Sequence, residues 1–243
     1  MYGQFLITGV INNSGTSTIL VNRQGTITSA NIKTGNGLIH AVDRDLKPAA
    51  KSVAELITAD PKFSIFKQAL QATGYYDTIN TINSTDPKLR RWFTVLAETD
   101  KALLDSGFAN YAALKAKYSN TGNPLNPLDS LNIYVKYHII PDIRYLADIV
   151  SASSHTTLAP LEVLSSKLDD VKVLINDLDF NGVHEIGVEL ERPTSDISGT
   201  TGVLHTALAH FKPKLRFPTA LFLDVADFPE VRKLPAIFRR ANF

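Results

Sequence analysis

The chain has 243 residues, 44% of them apolar and 20% charged, the make-up of a folded globular protein, which excludes wholesale disorder, collagen-like sequence and coiled coil. Lys and Arg number 25 against 24 for Asp and Glu, a net charge of +1, so the surface is not built for phosphate backbones and nucleic acid is not an expected partner. Cysteine is absent, which removes disulfides, thiolate nucleophiles and Cys-type metal sites without fixing a compartment.

Along the chain, Phe5-Leu6-Ile7 and Thr18-Ile19-Leu20-Val21 read as paired strands around the turn cluster Asn12-Asn13-Ser14-Gly15, with a second turn at Arg23-Gln24-Gly25. Val53, Leu56 and Ile57 then share a helix face. Phe63, Phe66 and Leu70 continue the helical pattern after Asp60-Pro61, where Asp60 suits the N-cap and Pro61 the first helical position, and Gly74 stops it. Phe93 to Leu96 reads as a short buried strand with Trp92 as a packing residue before it. Asp100 to Leu104 and Tyr111 to Tyr118 read as helices, Asn120 to Asn126 as a loop, and Tyr134 to Ile140 as a strand or helix end closed by Pro141-Asp142. Val163 to Ser165, Val171 to Ile175 and Val183 to Leu190 are predicted strands joined by Asp- and Asn-rich turns. Helices first and strands afterwards imply an α+β domain, antiparallel strands in a sheet with helices over one side. No run of about 18 apolar residues occurs, and no basic-then-apolar leader follows Met1, so neither a membrane span nor a signal peptide is read in the sequence as given.

Laid on itself at an offset of 165 residues, the chain repeats. Asn36-Gly37-Leu38-Ile39-His40 falls over Thr201-Gly202-Val203-Leu204-His205, Asn31-Ile32 over Asp196-Ile197, and Lys47-Pro48 over Lys212-Pro213. The offset is one repeat unit. It divides the chain into three parts: 1–48 as the closing part of a first unit, 49–213 as a complete unit, and 214–243 as a tail or the start of a following domain.

Three stretches resemble the fasciclin-like domain family. Phe93-Thr94-Val95-Leu96-Ala97-Glu98-Thr99-Asp100-Lys101-Ala102-Leu103 is similar to the family's first motif, Thr-Val-Phe-Ala-Pro-Thr-Asp-x-Ala-Phe. Tyr137-His138 before Pro141 resembles its central Tyr-His motif. Gly202-Val203-Leu204-His205 resembles its second motif, Asn-Gly-x-Ile-His-x-Ile-Asp, of which Asn36-Gly37-Leu38-Ile39-His40-Ala41-Val42-Asp43 is the fuller copy. Glu98 stands where the family has Pro, Leu103 where it has Phe, and Thr201 and Leu208 where it has Asn and Asp. The resemblance implies a fasciclin-like β-wedge or sandwich of antiparallel strands covered by helices, preceded by a partial repeat. It also implies a non-catalytic adhesion or interaction module, extracellular or at the cell surface, whose partners are other surface or matrix proteins, glycans, neighbouring repeats or copies of itself. The lack of cysteine, with Leu223-Asp224-Val225 and Asp227 to Glu230 in the tail, favours a bacterial envelope lipoprotein array. A glycan- or small-ligand-binding subunit is the alternative.

The family's Tyr-His motif is the one linked to receptor contact, so Tyr137 and His138, with Asp142 and Tyr145 beside them, are the candidate binding residues. Thr99, Asp100, Asn36, Gly37, His40, Asp43, Gly202 and His205 are motif positions whose reading is structural: Thr99 or Asp100 caps a helix start, and Asn36-Gly37 bends the chain into a fold-closing strand. His205 and His210, five apart, suit neither a helical nor a strand metal pair, and no metal or cofactor is expected. His155 and His184 read as loop residues. Ser151 to Thr157 reads as a loop and lacks a nucleophile elbow, and Asp169-Asp170, Asp177 and Asp179 read as polar hairpin turns, without the order of a calcium loop. Asn12 and Asn83 begin N-glycosylation sequons, and Asp227 to Glu230 carries a capping-box pattern for a short helix with a basic face.

Overall fold

The computed structural model describes residues 6–13, 15–84, 86, 89–160, 162–180 and 183–213. Two compact units divide the chain, Met1–Lys212 and Pro213–Phe243, and every described helix and strand lies in the first. The tail helix expected at Asp227 to Glu230 lies outside the described residues, as do Phe5, Ser14, Thr85 and the side chains of Asn12 and Asp179.

The first unit begins with four antiparallel strands hydrogen-bonded in chain order: β1 (Thr8–Asn13), β2 (Thr16–Val21), β3 (Gly25–Lys33) and β4 (Leu38–Val42). The first hairpin forms about its predicted turn, but its leading strand is Thr8–Asn13 instead of Phe5 to Ile7. Ile7 is held outside the strand: its N–H donates to Asn22 Oδ1 at 2.8 Å, and Asn22 N–H donates back to the Ile7 carbonyl at 2.7 Å. Asn22 and Arg23 both adopt left-handed backbone, φ 52° and 56°, which makes the predicted second turn tight and matches the twist of the flanking strands.

Helices come next: α1 (Val53–Ala59), α2 (Ser64–Ala72) and α3 (Tyr75–Asn80). Ser52 and Glu55 form a reciprocal capping box on α1, Ser52 Oγ accepting from Glu55 N–H at 3.0 Å and the Glu55 carboxylate from Ser52 N–H at 2.7 Å. Asp60 caps a single 3-10 turn, Pro61–Phe63, and Gly74 at φ 77° ends α2 and turns the chain into α3. The next elements are β5 (Phe93–Glu98), α4 (Asp100–Asp105), α5 (Tyr111–Tyr118), α6 (Ser130–Tyr137) and β6 (Ile139–Ile140). The stretch from Tyr134 to Ile140 is thus both readings in succession, the end of a helix and a short strand.

The remaining elements are α7 (Leu146–Ser151), β7 (Ser154–Thr156), β8 (Val163–Asp169), β9 (Lys172–Ile175), β10 (Leu178–Phe180), β11 (Val183–Glu185), β12 (Val188–Leu190), β13 (Ile197–Gly199) and β14 (Gly202–Ala207). Ser151 to Thr157 is therefore the end of a helix and a strand, not a loop. The predicted strand from Val183 to Leu190 is two strands. The break lies at Gly187, whose N–H donates to the Asp177 carboxylate at 3.1 Å and where a Cβ would sit 2.4 Å from Asp177 Cβ.

The principal sheet runs β6-β5-β14-β12-β9-β8-β7, with β13 also paired to β14. Its pairs are antiparallel except one. β14 runs parallel to β5 in the register Gly202 to Phe93 through Ala207 to Glu98, which a reading of strands alone does not anticipate, because the helical segment between them supplies the crossover. The α+β architecture is as expected, and β5 is buried on both faces, with a core on each. Phe93, Val95 and Ala97 join α1, α2, α3, α5 and α6 in one core, while Leu96 joins Tyr137, Ile149, Leu164, Val173, Ile175 and Leu190 in a second.

Candidate functional site

The first motif places two caps. Thr99 Oγ1 accepts from Ala102 N–H at 3.1 Å and so starts α4, while Asp100 turns to another helix, its carboxylate accepting from Ile65 N–H at 2.9 Å and from Ser64 Oγ at 2.5 Å. One dipeptide fixes two helix starts.

Tyr137 and His138 are interior residues. Tyr137 is 1% exposed and His138 fully buried. Tyr137 Oη accepts from Asn176 Nδ2 at 2.9 Å, tying α6 to the end of β9. His138 sits between Phe66 and Phe211, ring centroids 5.3 and 4.2 Å away, and its Nδ1 donates to the Tyr134 carbonyl at 2.8 Å. Its Nε2 lies 2.9 Å from Glu98 Oε1. With a carbonyl on one nitrogen and a carboxylate on the other, the ring ties the end of α6 to the end of β5.

Glu98 is the centre of this cluster. Besides His138 it accepts from Tyr134 Oη at 2.7 Å, His210 Nδ1 at 2.9 Å and Phe211 N–H at 2.8 Å, and Tyr118 Oη lies 2.7 Å from His210 Nε2. Burial alone would push the carboxyl up, but the charges and hydrogen bonds of His138 and His210 outweigh it and hold the group at about 2. Burial and the same carboxylate push the Tyr118 phenol to about 12, so it stays a donor. The network joins the end of β5, α5, α6 and the segment after β14. Its signal in the sequence was Glu98 itself, the residue standing in place of the family's Pro.

Asp142 and Tyr145 lie elsewhere, on the loop from Pro141 to Tyr145. The loop is pinned from below: Thr94 Oγ1 donates to the Asp142 carbonyl at 2.7 Å and accepts from Arg144 N–H at 2.8 Å. His205 Nε2 donates to the Arg144 carbonyl at 2.7 Å, and Asp196 Oδ1 accepts from Leu146 N–H at 2.7 Å. Asp142 is exposed and paired with Arg144 at 2.8 Å; the Tyr145 hydroxyl lies 3.3 Å from Ser198 Oγ. The four candidates therefore divide into a buried pair within the core and a pair on the hydrogen-bonded loop, Asp142 exposed and Tyr145 half-buried.

Beside that loop is a cleft of about 260 Å³, lined among others by Arg23, Trp92, Ile143, Tyr145, Asp196 and Ser198. Arg23 closes one side. Its guanidinium donates to the carbonyls of Arg192 at 2.6 Å, Ser195 at 2.7 Å and Pro193 at 3.2 Å, joining the β2–β3 turn to the chain before β13. Trp92 carries the Arg90 guanidinium 4.3 Å from its ring. Sequence reasoning passed over Arg23 and Asp196 as site residues: the 165-residue offset drew attention to Asp196 only, by laying it on Asn31, and Arg23 was read as part of a turn.

The two motif histidines make the same bond. Asn31 N–H donates to His40 Nδ1 at 3.4 Å and Asp196 N–H to His205 Nδ1 at 3.2 Å, and Asn31 and Asp196 share left-handed backbone at φ 58° and 57°. Burial holds the His205 ring below the ordinary histidine value. Asp43 of the fuller motif accepts from Thr26 N–H at 2.7 Å. His155 and His184, read as loop residues, are strand residues: His155 is buried with Nε2 2.8 Å from the Ile149 carbonyl, and His184 Nε2 is 3.4 Å from Asp177 Oδ1. Asp177 is likewise more than a turn residue, since it also pairs with Lys167 at 2.7 Å. Asn83, exposed, uses its amide within its own loop, accepting from Arg91 N–H at 2.7 Å. Among the described residues no cluster of His, Asp and Glu is arranged to hold a metal ion, and no helix is long and apolar enough to cross a membrane.

The described residues build an α+β fold in which Tyr137 and His138 are buried and Asp142 and Tyr145 lie on a hydrogen-bonded loop beside a cleft. A family profile described as the Fasciclin domain matches residues 61–207, and the chain belongs to that family. Fasciclin domains serve generally as cell-adhesion or extracellular interaction modules. A solved structure described as a FAS1 domain pair from the insect cell adhesion molecule Fasciclin I is similar over 89% of this chain and 68% of that one, at 17% identity and a TM-score of 0.47. No curated protein matches.

Proposed function

We propose that the chain is a non-catalytic interaction module of a multi-unit surface or secreted protein, acting in adhesion or assembly with other surface proteins. In this reading 1–48 is the closing part of one fasciclin-type unit, 49–213 a complete unit and 214–243 a tail or the start of another, in an array carried outside the cell, with a bacterial envelope lipoprotein as the favoured setting. Repetition suits the role, because tethered weak contacts exceed single-site affinity by roughly 10²- to 10⁴-fold.

The observation that carries the reading is the rigid loop from Pro141 to Tyr145. Asp142 and Tyr145 reach solvent on backbone fixed by Thr94, His205 and Asp196, and side chains held this way bind without a large ordering cost. Tyr137 and His138 act here as positioning residues. The cleft supports the glycan- or small-ligand alternative through Trp92 and Tyr145, but at about 260 Å³ it falls short of the roughly 300 to 1,000 Å³ of ordinary ligand pockets. The protein-partner reading therefore leads.

The test uses the full chain with the double substitution Asp142→Ala and Tyr145→Ala. Pull-down from extracellular or envelope proteins should recover a partner with the native chain and lose it, by about 10-fold or more, with the variant at unchanged thermal stability. A partner retained in full by the variant refutes the site, and selective binding on a glycan array that Trp92→Ala abolishes moves the function to the cleft.

A further inference from the structure

His205 lies between the pinned loop and the hairpin of β13 and β14. Fully buried, it uses both ring nitrogens: Nε2 donates to the Arg144 carbonyl at 2.7 Å, and Nδ1 accepts from Asp196 N–H at 3.2 Å. These partners fix the tautomer, with hydrogen on Nε2 and a lone pair on Nδ1. Asp196 serves both sides. Its Oδ1 accepts from Leu146 N–H at 2.7 Å, at the start of α7, and the same oxygen lies 3.7 Å from His205 Nδ1. One carboxylate thus stands between a backbone amide that it holds and a ring nitrogen that it does not.

A proton arriving on Nδ1 reverses that choice. The charged ring has no lone pair for Asp196 N–H, and its new N–H faces the Asp196 carboxylate, a charge-assisted partner. The other charged and titratable groups around the ring are committed elsewhere. Asp148 of α7 accepts from Tyr145 N–H at 2.9 Å, Arg144 pairs with Asp142 at 2.8 Å, and the Tyr145 hydroxyl lies 3.3 Å from Ser198 Oγ. Arg23, from the β2–β3 turn, donates to three carbonyls. On β5, Leu96 is opposite His205, and Glu98, two residues along on the same face, is bonded to His138 and His210. Burial holds the ring below the ordinary histidine value of 6.5, against the pull of Asp196, so His205 is neutral near pH 7 and charges only as the pH falls.

We propose that His205 and Asp196 form an acid-operated switch beneath the partner-binding loop: a proton on His205 Nδ1 draws the Asp196 carboxylate off Leu146 N–H, frees the Tyr145 end of the loop and weakens the partner, while the Asp142 end stays in place. The regulation rests on the reading of Pro141 to Tyr145 as the binding site. The two ends differ because their pins differ. Thr94 holds the Asp142 carbonyl and Arg144 N–H, and His205 Nε2 keeps its hydrogen, and its bond to the Arg144 carbonyl, in either charge state. Of these pins, the Leu146 bond alone depends on the Asp196 carboxylate. The hairpin around His40 lacks that charge: Asn31 stands at the place of Asp196, with the same left-handed backbone and the same N–H to Nδ1 bond. Asparagine therefore fits this place in the hairpin.

The experiment is amide exchange with histidine ring titration by NMR on the full chain, from about pH 7.5 to about pH 4.5, each rate corrected for the intrinsic pH dependence of exchange. Protection of Leu146 should fall about 10-fold or more as the His205 ring charges, while that of Arg144 changes less than about 2-fold. Asp196→Asn keeps an acceptor for Leu146 but offers the ring no anion, and His205→Gln cannot charge; in either variant Leu146 protection should change less than about 2-fold over the range. Leu146 protection indifferent to the charging of His205, a ring that stays neutral until the whole chain unfolds, or joint loss of Arg144 and Leu146 overturns the switch. This arm uses no partner. With a partner recovered by the native chain, affinity should drop about 10-fold or more between the two pH limits, and the drop should shrink to about 2-fold in Asp196→Asn. An equal drop in both chains overturns the regulation. A Leu146 switch that works beside a partner indifferent to Asp142→Ala with Tyr145→Ala supports the switch and refutes the site alone.

Discussion

The hairpin around His40 and the hairpin around His205 show how much of a local structure survives without its surroundings. Sequence at equal offset gives equal register, an equal left-handed residue and an equal N–H to Nδ1 bond, with His205 entirely buried and His40 exposed. Local geometry is therefore set by the motif, through turn chemistry and the histidine bond, and not by burial. Burial decides the energetics. Leu204 lies in a core with α1, α2 and β5, whereas Ile39 presents the same kind of side chain to solvent, and apolar area left in water contributes none of its roughly 25 cal/mol per Å².

The sharpest way to break this comparison is at the paired glycines. Gly202→Ala drives a methyl into the Phe93 backbone, so β5 and β14 cannot keep their register. The expected cost is about 4 kcal/mol or more, at the upper end of single substitutions. Gly37→Ala meets open space and should change stability by less than about 0.5 kcal/mol. Chemical denaturation of both variants checks this. Equal effects at the two sites would mean that the parallel strand does not set the difference between the copies.

The elements a single sequence reveals are those with local causes. Asp60-Pro61, Gly74 and Thr99 each mark a helix boundary through a cap or a positive φ, and the structure puts helix boundaries at those residues. The parallel pairing of β5 with β14 was not legible, because its cause is a close approach between residues more than 100 positions apart. The same holds for the site. Tyr137 and His138 drew attention by residue type, yet their surroundings are assembled by Glu98 of β5, Asn176 just after β9 and Phe211 beyond β14. A histidine beside a tyrosine gives no sign of whether it faces in or out; the offset that aligned His40 with His205 carried more, because it compared positions instead of chemistry.

A pH titration sharpens the comparison at the histidines. His205 is buried, which lowers its folded-state pKa below the unfolded value near 6.5, so the stability it contributes is present above that value and is lost as pH falls through it. The bond from Asp196 N–H to Nδ1 states the same preference, since a protonated nitrogen cannot accept. The thermal midpoint should therefore begin to fall below about pH 6.5, and His205→Gln should remove that first step whereas His40→Gln should not. A second fall belongs to Glu98. Its folded pKa of about 2 lies below the reference value of 4.5, so its contribution, about 3 kcal/mol, is complete above pH 4.5 and lost between there and pH 2. A midpoint flat from pH 7 to 5 would contradict the neutral, buried His205.

The smallest expected effect concerns how the exposed copy is held. Arg23 joins the β2–β3 turn to the carbonyls of Arg192, Pro193 and Ser195, and three charge-assisted bonds from one planar guanidinium orient as well as attach. Much of this interaction is exposed, so its contribution is screened and modest, about 1 kcal/mol. Arg23→Ala should leave the main thermal transition within a degree or two, because the two cores around β5 do not include Arg23. Cleavage is the more sensitive measure. Limited proteolysis of the variant should cut within residues 15–48 several-fold faster than in the native chain while 49–213 stays intact, and Arg23→Lys, which keeps the charge but not the fork of donors, should fall between the two. Equal cleavage of all three would show that β1 to β4 hold their place without Arg23, and that the apolar contacts near Val21 and Gly25 suffice to keep the exposed copy docked.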